Sequence, residues 1–267
     1  MNELTTRALT GTAYVALALG AAWAGPLTTT VLFLPVCAIG ANEFHKLFWK
    51  DGEGPLPLWS IALAVVAYLG LALPTLLPAW TMAHALALAF ALLVTGISMS
   101  LRRGPVSPAM DLGGQFLLVA YVALPFALLP HLLRDGPEVL MGTYFLLWTN
   151  DTGAYLVGRA MGRTKLLPAV SPKKTVEGLV GGVLLTLAVA YGLGQAWTVL
   201  SPTAWLACGL VVSIAGTVGD LLESALKRAR GVKDSGHVLP GHGGILDRFD
   251  GMLLAAPAVA VLLLLLR

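Results

Sequence analysis

Charge is scarce in this chain. Only 12% of its 267 residues are Asp, Glu, Lys or Arg, 57% are hydrophobic, and the mean hydropathy is +0.80. Soluble domains are about 45–50% apolar by a similar count, so an ordinary water-soluble globule is a poor fit. Cysteine is nearly absent. Cys37 and Cys208 both lie in apolar runs and read as small buried hydrophobes, so neither a disulfide framework nor a cysteine metal site is implied. There is no G-x-x-x-x-G-K-[ST] run, which excludes a P-loop, and no serine nucleophile elbow. Internal repeats and low-complexity linkers are also missing. The net charge of +3 is small and comes from a few loops. It reads as membrane topology and attraction for anionic ligands, not as nucleic-acid binding.

Long apolar runs are what the chain has in abundance. They recur at about 17–22 residues, each enough to cross a ~30 Å hydrocarbon core as a helix. They are continuous and not alternating, which argues against a barrel. Nine spans are expected, roughly over residues 8–24, 27–45, 58–78, 82–100, 112–132, 139–158, 176–196, 203–223 and 250–266. The fold class is therefore an all-α integral membrane protein. The first span follows Arg7 as a signal peptide would, but it lacks a convincing small-x-small cleavage site and further spans follow at once, so it reads as a membrane helix.

The cations orient these spans. With the N-terminus in the cytoplasm, 15 of the 17 Lys and Arg fall in inside segments, and only Arg134 and Arg267 fall outside. Both large polar loops, 159–175 and 224–249, then face the cytoplasm. The chain divides into residues 1–137, five spans expected to act as scaffold with dimer and lipid contacts, and residues 138–267, four spans expected to carry the chemistry.

Polar residues at depth support that division. In the first half, His84 and His131 lie near the outer surface and read as structural. Glu43 ends the second span and either closes a cavity or sits as an acid at the membrane interface. The sixth span ends in W-T-N-D-T-G-A-Y-L-V-G-R and the eighth in G-T-V-G-D-L-L-E-S. Acids inside spans are costly and are functional candidates by default.

The densest polar stretch is Ser224–Asp250, S-A-L-K-R-A-R-G-V-K-D-S-G-H-V-L-P-G-H-G-G-I-L-D-R-F-D. A membrane protein needs no such loop for its fold; phosphates and a divalent metal would account for it. Asp220, Asp247 and Asp250 are the candidate metal acids, since magnesium takes oxygen ligands, commonly one or two carboxylates with phosphate oxygens and water. Asp250 has the alternatives of capping the last helix or pairing with Arg248. Lys227, Arg228, Lys233 and Arg248 can bind phosphate, Arg as a planar fork and Lys as a mobile point charge. Positive-inside anchoring is the other reading, and it suits Arg230 best. In Gly241–Gly244, glycines let backbone N–H groups approach phosphate oxygens, and His242 either binds phosphate or holds the loop.

A second basic loop follows the sixth span: G-R-A-M-G-R-T-K-L-L-P-A-V-S-P-K-K-T-V-E-G. Ser171 or Thr175 can cap the seventh helix, whose N–H groups then face an anion beside Lys173 and Lys174. A capped, positive-inside helix start is the plainer alternative. Asp151 either orders this loop by pairing with a cation or assists metal or nucleotide binding.

The Ser224–Asp250 run resembles the signature of the CDP-diacylglycerol synthases, or phosphatidate cytidylyltransferases. Every fixed position is met: Ser224, Lys227, Arg228, Lys233, Asp234, Pro240, His242, Gly243, Gly244, Asp247, Arg248 and Asp250. The block Ser171–Gly178 and the Asp151-x-x-Ala154-Tyr155 run with Gly158-Arg159 look like further blocks of that family, while the first ~135 residues match only in being hydrophobic. The resemblance implies transfer of a cytidylyl group from CTP to phosphatidate in a cell inner (plasma) membrane, with the active site facing the cytoplasm. It implies that Asp220 and Asp247 hold the catalytic Mg²⁺, that a second cation such as K⁺ is present, and that the protein is a homodimer. Lys227, Arg228 and Arg248 would neutralise the reacting phosphates. Ser171, Lys173, Lys174, Thr175, Ser224, Lys233, Asp234, His242, Gly243 and Gly244 would bind substrate phosphates.

Three rivals stand beside this reading. D-R-F-D-G fits the opening of a CDP-alcohol phosphotransferase motif, but no acid follows Asp250. A CTP-dependent lipid kinase would instead transfer the γ-phosphoryl group. An anion transporter would also carry intramembrane acids, although here the polar residues gather at one surface.

Overall fold

A computed structural model of the chain describes residues 3–49, 54–102, 108–238 and 243–267. His242, with Pro240 and Gly241 beside it, lies outside the described residues. Helices dominate, and prolines start many of them: Pro26, Pro57, Pro108, Pro137 and Pro202 each open a helix. At that position the missing N–H costs nothing and the fixed φ suits the helix. Six helices are long and apolar enough to cross a membrane among the described residues.

The chain forms two compact units. One comprises residues 1–131 together with 234–248. It contains α1 (Glu3–Ala24), α2 (Pro26–Phe48), α3 (Pro57–Ala72), α4 (Met82–Arg102), α5 (Pro108–Leu118) and α6 (Leu124–Leu128). Its core is aromatic: Phe33 stacks on Phe126 at 5.7 Å, and Phe44 lies between Phe48, Trp49 and Tyr121. Buried polar groups find partners across helices. The Tyr68 hydroxyl donates to the Thr30 carbonyl at 2.8 Å, and His45 Nδ1 bonds Ser60 Oγ at 2.9 Å. His131 Nε2 bonds the Leu71 carbonyl at 2.7 Å, a structural role as expected. The fifth expected span is not one regular helix. A π-turn at Val119–Ala123 separates α5 from α6, next to Pro125, which has no N–H to give the ladder.

The other unit comprises residues 132–233 and 249–267. It contains α7 (Pro137–Met161), strands β1 (Lys165–Leu167) and β2 (Ser171–Thr175), α8 (Val176–Ala196), α9 (Pro202–Ala229) and α11 (Met252–Leu265); the short α10 (Leu246–Phe249) precedes α11. Small residues let α7 and α8 approach closely, the usual device of membrane helix pairs. A Cβ on Gly153 would lie 3.1 Å from Gly182 Cα, and one on Gly178 would lie 2.7 Å from the Ala154 carbonyl oxygen. The junction before α11 meets α9 in the same way: a Cβ on Gly219 would collide with the Asp250 carbonyl oxygen, and one on Gly251 would stand 3.4 Å from that of Gly216.

Two local features differ from the sequence reading. The loop 159–175 contains a β-hairpin, with Lys165 opposite Thr175 and Leu167 opposite Ser171. The helix of the eighth expected span, α9, does not stop at residue 223 but runs on to Ala229, because Ala, Leu, Lys and Arg are good helix formers and cations favour a last turn. Ser224, Lys227 and Arg228 therefore stand on α9 and not in the loop.

Candidate active site

The hairpin is clamped at its base. The Glu177 carboxylate accepts the N–H groups of Arg163 at 3.0 Å and Thr164 at 3.1 Å, and Val176 N–H donates to the Thr164 carbonyl at 2.9 Å. Thr175 caps α8: its Oγ1 accepts the Gly178 N–H at 3.1 Å. Ser171, the other expected cap, sits in β2 instead. The capped N-terminus of α8 opens on a cleft of about 400 Å³, lined among others by Asp151, Arg159, Lys173, Lys174, Thr175 and Asp220. A helix N-terminus and three cations make such a cleft attractive to phosphate.

Acids face these cations. Lys174 Nζ forms an ion pair with Asp220 Oδ2, and Ser224 Oγ donates to Asp220 Oδ1 at 3.3 Å. Asp151 and Asp250 are close enough to Asp220 and Lys174 to interact electrostatically with both. Asp250 Oδ1 also accepts the Gly251 N–H at 2.6 Å, just before α11. Among the described residues no three His, Cys, Asp or Glu side chains are disposed as a metal cage. Magnesium is held by one or two carboxylates and completes its shell with water and substrate oxygens. Asp220, with its side chain 33% exposed to the cleft, is a fitting donor for it.

Asp247 belongs to the other unit and is heavily engaged. Its Oδ2 accepts the Ser235 N–H and the Gly244 N–H, both at 2.8 Å, and the Ser235 hydroxyl lies 2.9 Å away. The Gly244 amide, expected to face phosphate, is thus turned on Asp247, while Gly243 takes a φ of +79° that favours glycine. Glu43 lies beneath this loop. Only 3% exposed, it accepts the N–H groups of Ile245 at 3.0 Å and Leu246 at 2.9 Å, and Ser235 Oγ is 3.1 Å from its Oε2. This corrects the interfacial reading of Glu43: the carboxylate is buried and accepts two backbone N–H groups, with the Ser235 hydroxyl also in reach.

The cations at the end of α9 are placed unequally. Lys227 is 9% exposed and ion-pairs with Glu223, which is fully buried one turn earlier. Arg228 is exposed, and its Nη1 donates to the Val232 carbonyl at 2.8 Å, closing the helix end. Lys233, Asp234 and Arg248 are exposed. Sequence reasoning missed Glu223, although its i,i+4 spacing to Lys227 was a usable signal. It also missed the clamp by Glu177, which no spacing announces.

Comparison with known proteins gives two findings. A family model described as the cytidylyltransferase family matches residues 5–266. The phosphatidate cytidylyltransferase of Staphylococcus aureus (strain COL) is 41% identical over 157 residues, which is 58% of this chain and 60% of that protein. Those of Staphylococcus epidermidis (strain ATCC 12228 / FDA PCI 1200), at 42%, and Staphylococcus saprophyticus subsp. saprophyticus, at 41%, match over the same shares. The similarity therefore spans three-fifths of the length of these relatives.

Proposed function

The chain belongs to the cytidylyltransferase family, and on that premise we propose that it joins CTP and phosphatidate into CDP-diacylglycerol and pyrophosphate. The observation that carries the reading is the cleft at the capped start of α8, which Lys173 lines and where Lys174 pairs with Asp220. The names of the relatives supply the substrates. A phosphatidate oxygen attacks the α-phosphorus of CTP; the bond from that phosphorus to the oxygen bridging to the β-phosphate breaks, and pyrophosphate leaves. The attacking phosphate monoester has a second pKa near ~6 and is largely ionised at neutral pH. No strong general base is needed, so the residues act by positioning and by neutralising charge.

Lys173, Lys174 and the N-terminus of α8 bind the triphosphate in this reading, and Arg228 and Arg248 add charge. Asp220 is the proposed magnesium ligand in the cleft; Asp247, to which the family resemblance gives the same role, sits in the loop that Glu43 holds. The metal, when bound, neutralises developing charge on the phosphates. A second cation and a homodimer remain part of the proposal on the same resemblance.

Nine spans with a cytoplasmic N-terminus complete it, supported by the placing of 15 of 17 Lys and Arg on one side. Beyond the six long helices, the three remaining spans correspond to α7, Leu9–Ala24 and Met252–Leu265. The plasma membrane is the proposed location.

The test uses purified protein, phosphatidate, Mg²⁺ and CTP labelled at the α- or γ-phosphate, with Asp220→Asn alongside. The reading expects α-label in the lipid, γ-label in pyrophosphate, and loss of both with Asp220→Asn or EDTA. Transfer of γ-label to a lipid would mean a kinase; no lipid label from folded protein would reject the activity.

A further inference from the structure

We propose that Glu43 is a positioning residue: from within α2 it holds the segment that carries Asp247 in the arrangement used for cytidylyl transfer. The activity part rests on the function proposed above.

Three observations carry it. First, Glu43 is buried and its two carboxylate oxygens accept from the backbone of Ile245 and Leu246, with the Ser235 hydroxyl in reach of Oε2. A buried carboxylate is costly unless donors surround it, and among the described residues its donors come from one short stretch some 190–200 residues away in sequence. Second, that hydroxyl stands between two carboxylates, 3.1 Å from Glu43 Oε2 and 2.9 Å from Asp247 Oδ2. A hydroxyl has one proton to donate, so Ser235 serves one acid at a time, and the two carboxylates share it as a common neighbour. Third, two glycines near Asp247 make room for Glu43. A Cβ on Gly244 would lie 2.6 Å from Glu43 Oε2, and one on Gly236 would collide with Oε1. The glycines of this segment thus accommodate an acid from α2 as well as shaping a loop.

Packing points the same way. Gly40 lies one turn before Glu43, and a Cβ there would be 3.3 Å from Leu246 Cδ2 and 3.7 Å from Ile245 Cγ2. Leu246 is wholly buried. The segment is therefore pinned to α2 by its amides and by its side chains. Glu43 itself acts only through Ser235, Gly244–Leu246 and Asp247.

The test combines backbone amide exchange across residues 243–248, in protein free of metal and substrate, with steady-state kinetics. Glu43→Gln keeps one acceptor oxygen but replaces the other with an amide NH₂ that cannot accept. The amide that faces the new NH₂, Ile245 or Leu246, should exchange at least about tenfold faster. The variant's kcat should fall about 10- to 100-fold, as small misplacements near reacting groups do. The KM values for CTP and phosphatidate should hold within about threefold, because the side chain is buried and turned on protein donors. Ser235→Ala leaves both amide bonds in place. It should keep Leu246 protection and lose roughly 3- to 10-fold in kcat.

Unchanged exchange in Glu43→Gln, or faster exchange with wild-type kcat, would overturn the proposal. If Glu43→Gln does not fold, wild-type kcat in Ser235→Ala would overturn it instead. Wild-type protein that transfers no cytidylyl group would sink the function and leave exchange to decide the tether alone.

Discussion

Lys174 at the end of β2 and Asp220 on α9 form an ion pair beside the capped start of α8. Their side chains remain 27% and 33% exposed. A pair this open is worth at most about 1 kcal/mol, so little energy holds it closed. In the proposed reading a magnesium–triphosphate complex would offer each partner a better one: phosphate oxygens for Lys174, a divalent cation for Asp220. Lys174 also partly offsets the negative charge of Asp151 and Asp250.

That relationship separates folding from activity. Asp220→Asn and Lys174→Gln should unfold within about 2–4 °C of the wild type, the shift expected for up to ~1 kcal/mol in a chain of this size. Their cytidylyl transfer should fall by about 100-fold or more, the scale of a lost electrostatic contact to reacting phosphates. Thermal unfolding in detergent and transfer of α-label to lipid read the two quantities. A Tm drop that parallels the activity loss would assign the pair a structural role instead.

The residues that bear charge near the membrane surface were legible in the sequence because type and spacing suffice to find them. Asp220, Lys174 and Thr175 do converge on one cleft. What spacing could not show was which partner each residue has. Lys227 is spent at least partly on Glu223, and the Gly244 amide on Asp247. Glu43 reaches its partners across most of the chain, and no local pattern encodes such a contact. The hairpin was hidden because S-P-K-K-T lacks the alternation of a usual strand, has no aromatic residue and has Thr175 as its sole β-branched one. The end of α9 was misplaced because hydrophobicity stops near residue 223 while helix propensity does not.

Glu223 and Lys227 should behave as a buried pair. Removing one partner leaves the other uncompensated, at a cost of about 3–5 kcal/mol. Lys227→Met should therefore lower Tm by roughly 6–20 °C. The double variant Glu223→Leu with Lys227→Met should recover most of that loss, since replacing both charges by apolar groups is often neutral or better. If Lys227 served phosphate alone, Lys227→Met would leave Tm unmoved and reduce only transfer.

Thr175 tests the cap on α8. Thr175→Val keeps the shape but loses the oxygen that accepts the Gly178 N–H. The loss of a cap costs about 1 kcal/mol, or roughly 2–4 °C in Tm. Thr175→Ser should stay close to wild type. Because Thr175 lines the cleft, the KM for CTP should rise in the Val variant and not in the Ser variant. Equal kinetics in the two variants would separate the cap from nucleotide binding.

The contact between α9 and the segment before α11 gives a test in which sign alone decides. Replacing a helical glycine by alanine gains about 0.8–1.0 kcal/mol of intrinsic propensity. At Gly192 on α8 an added Cβ meets nothing within 4 Å, so Gly192→Ala should raise Tm. At Gly219 the same methyl would collide with the Asp250 carbonyl oxygen, which is backbone and cannot rotate away. Overpacking of this kind costs about 1–3 kcal/mol and outweighs the propensity gain. Gly219→Ala should therefore lower Tm. It should also reduce transfer, because relieving the clash displaces Asp250 from its place near Asp220 and Lys174. Opposite signs at the two glycines would establish close helix packing at Gly219; a rise in Tm at both would show that α9 has room there and that Asp250 is not held by backbone contact.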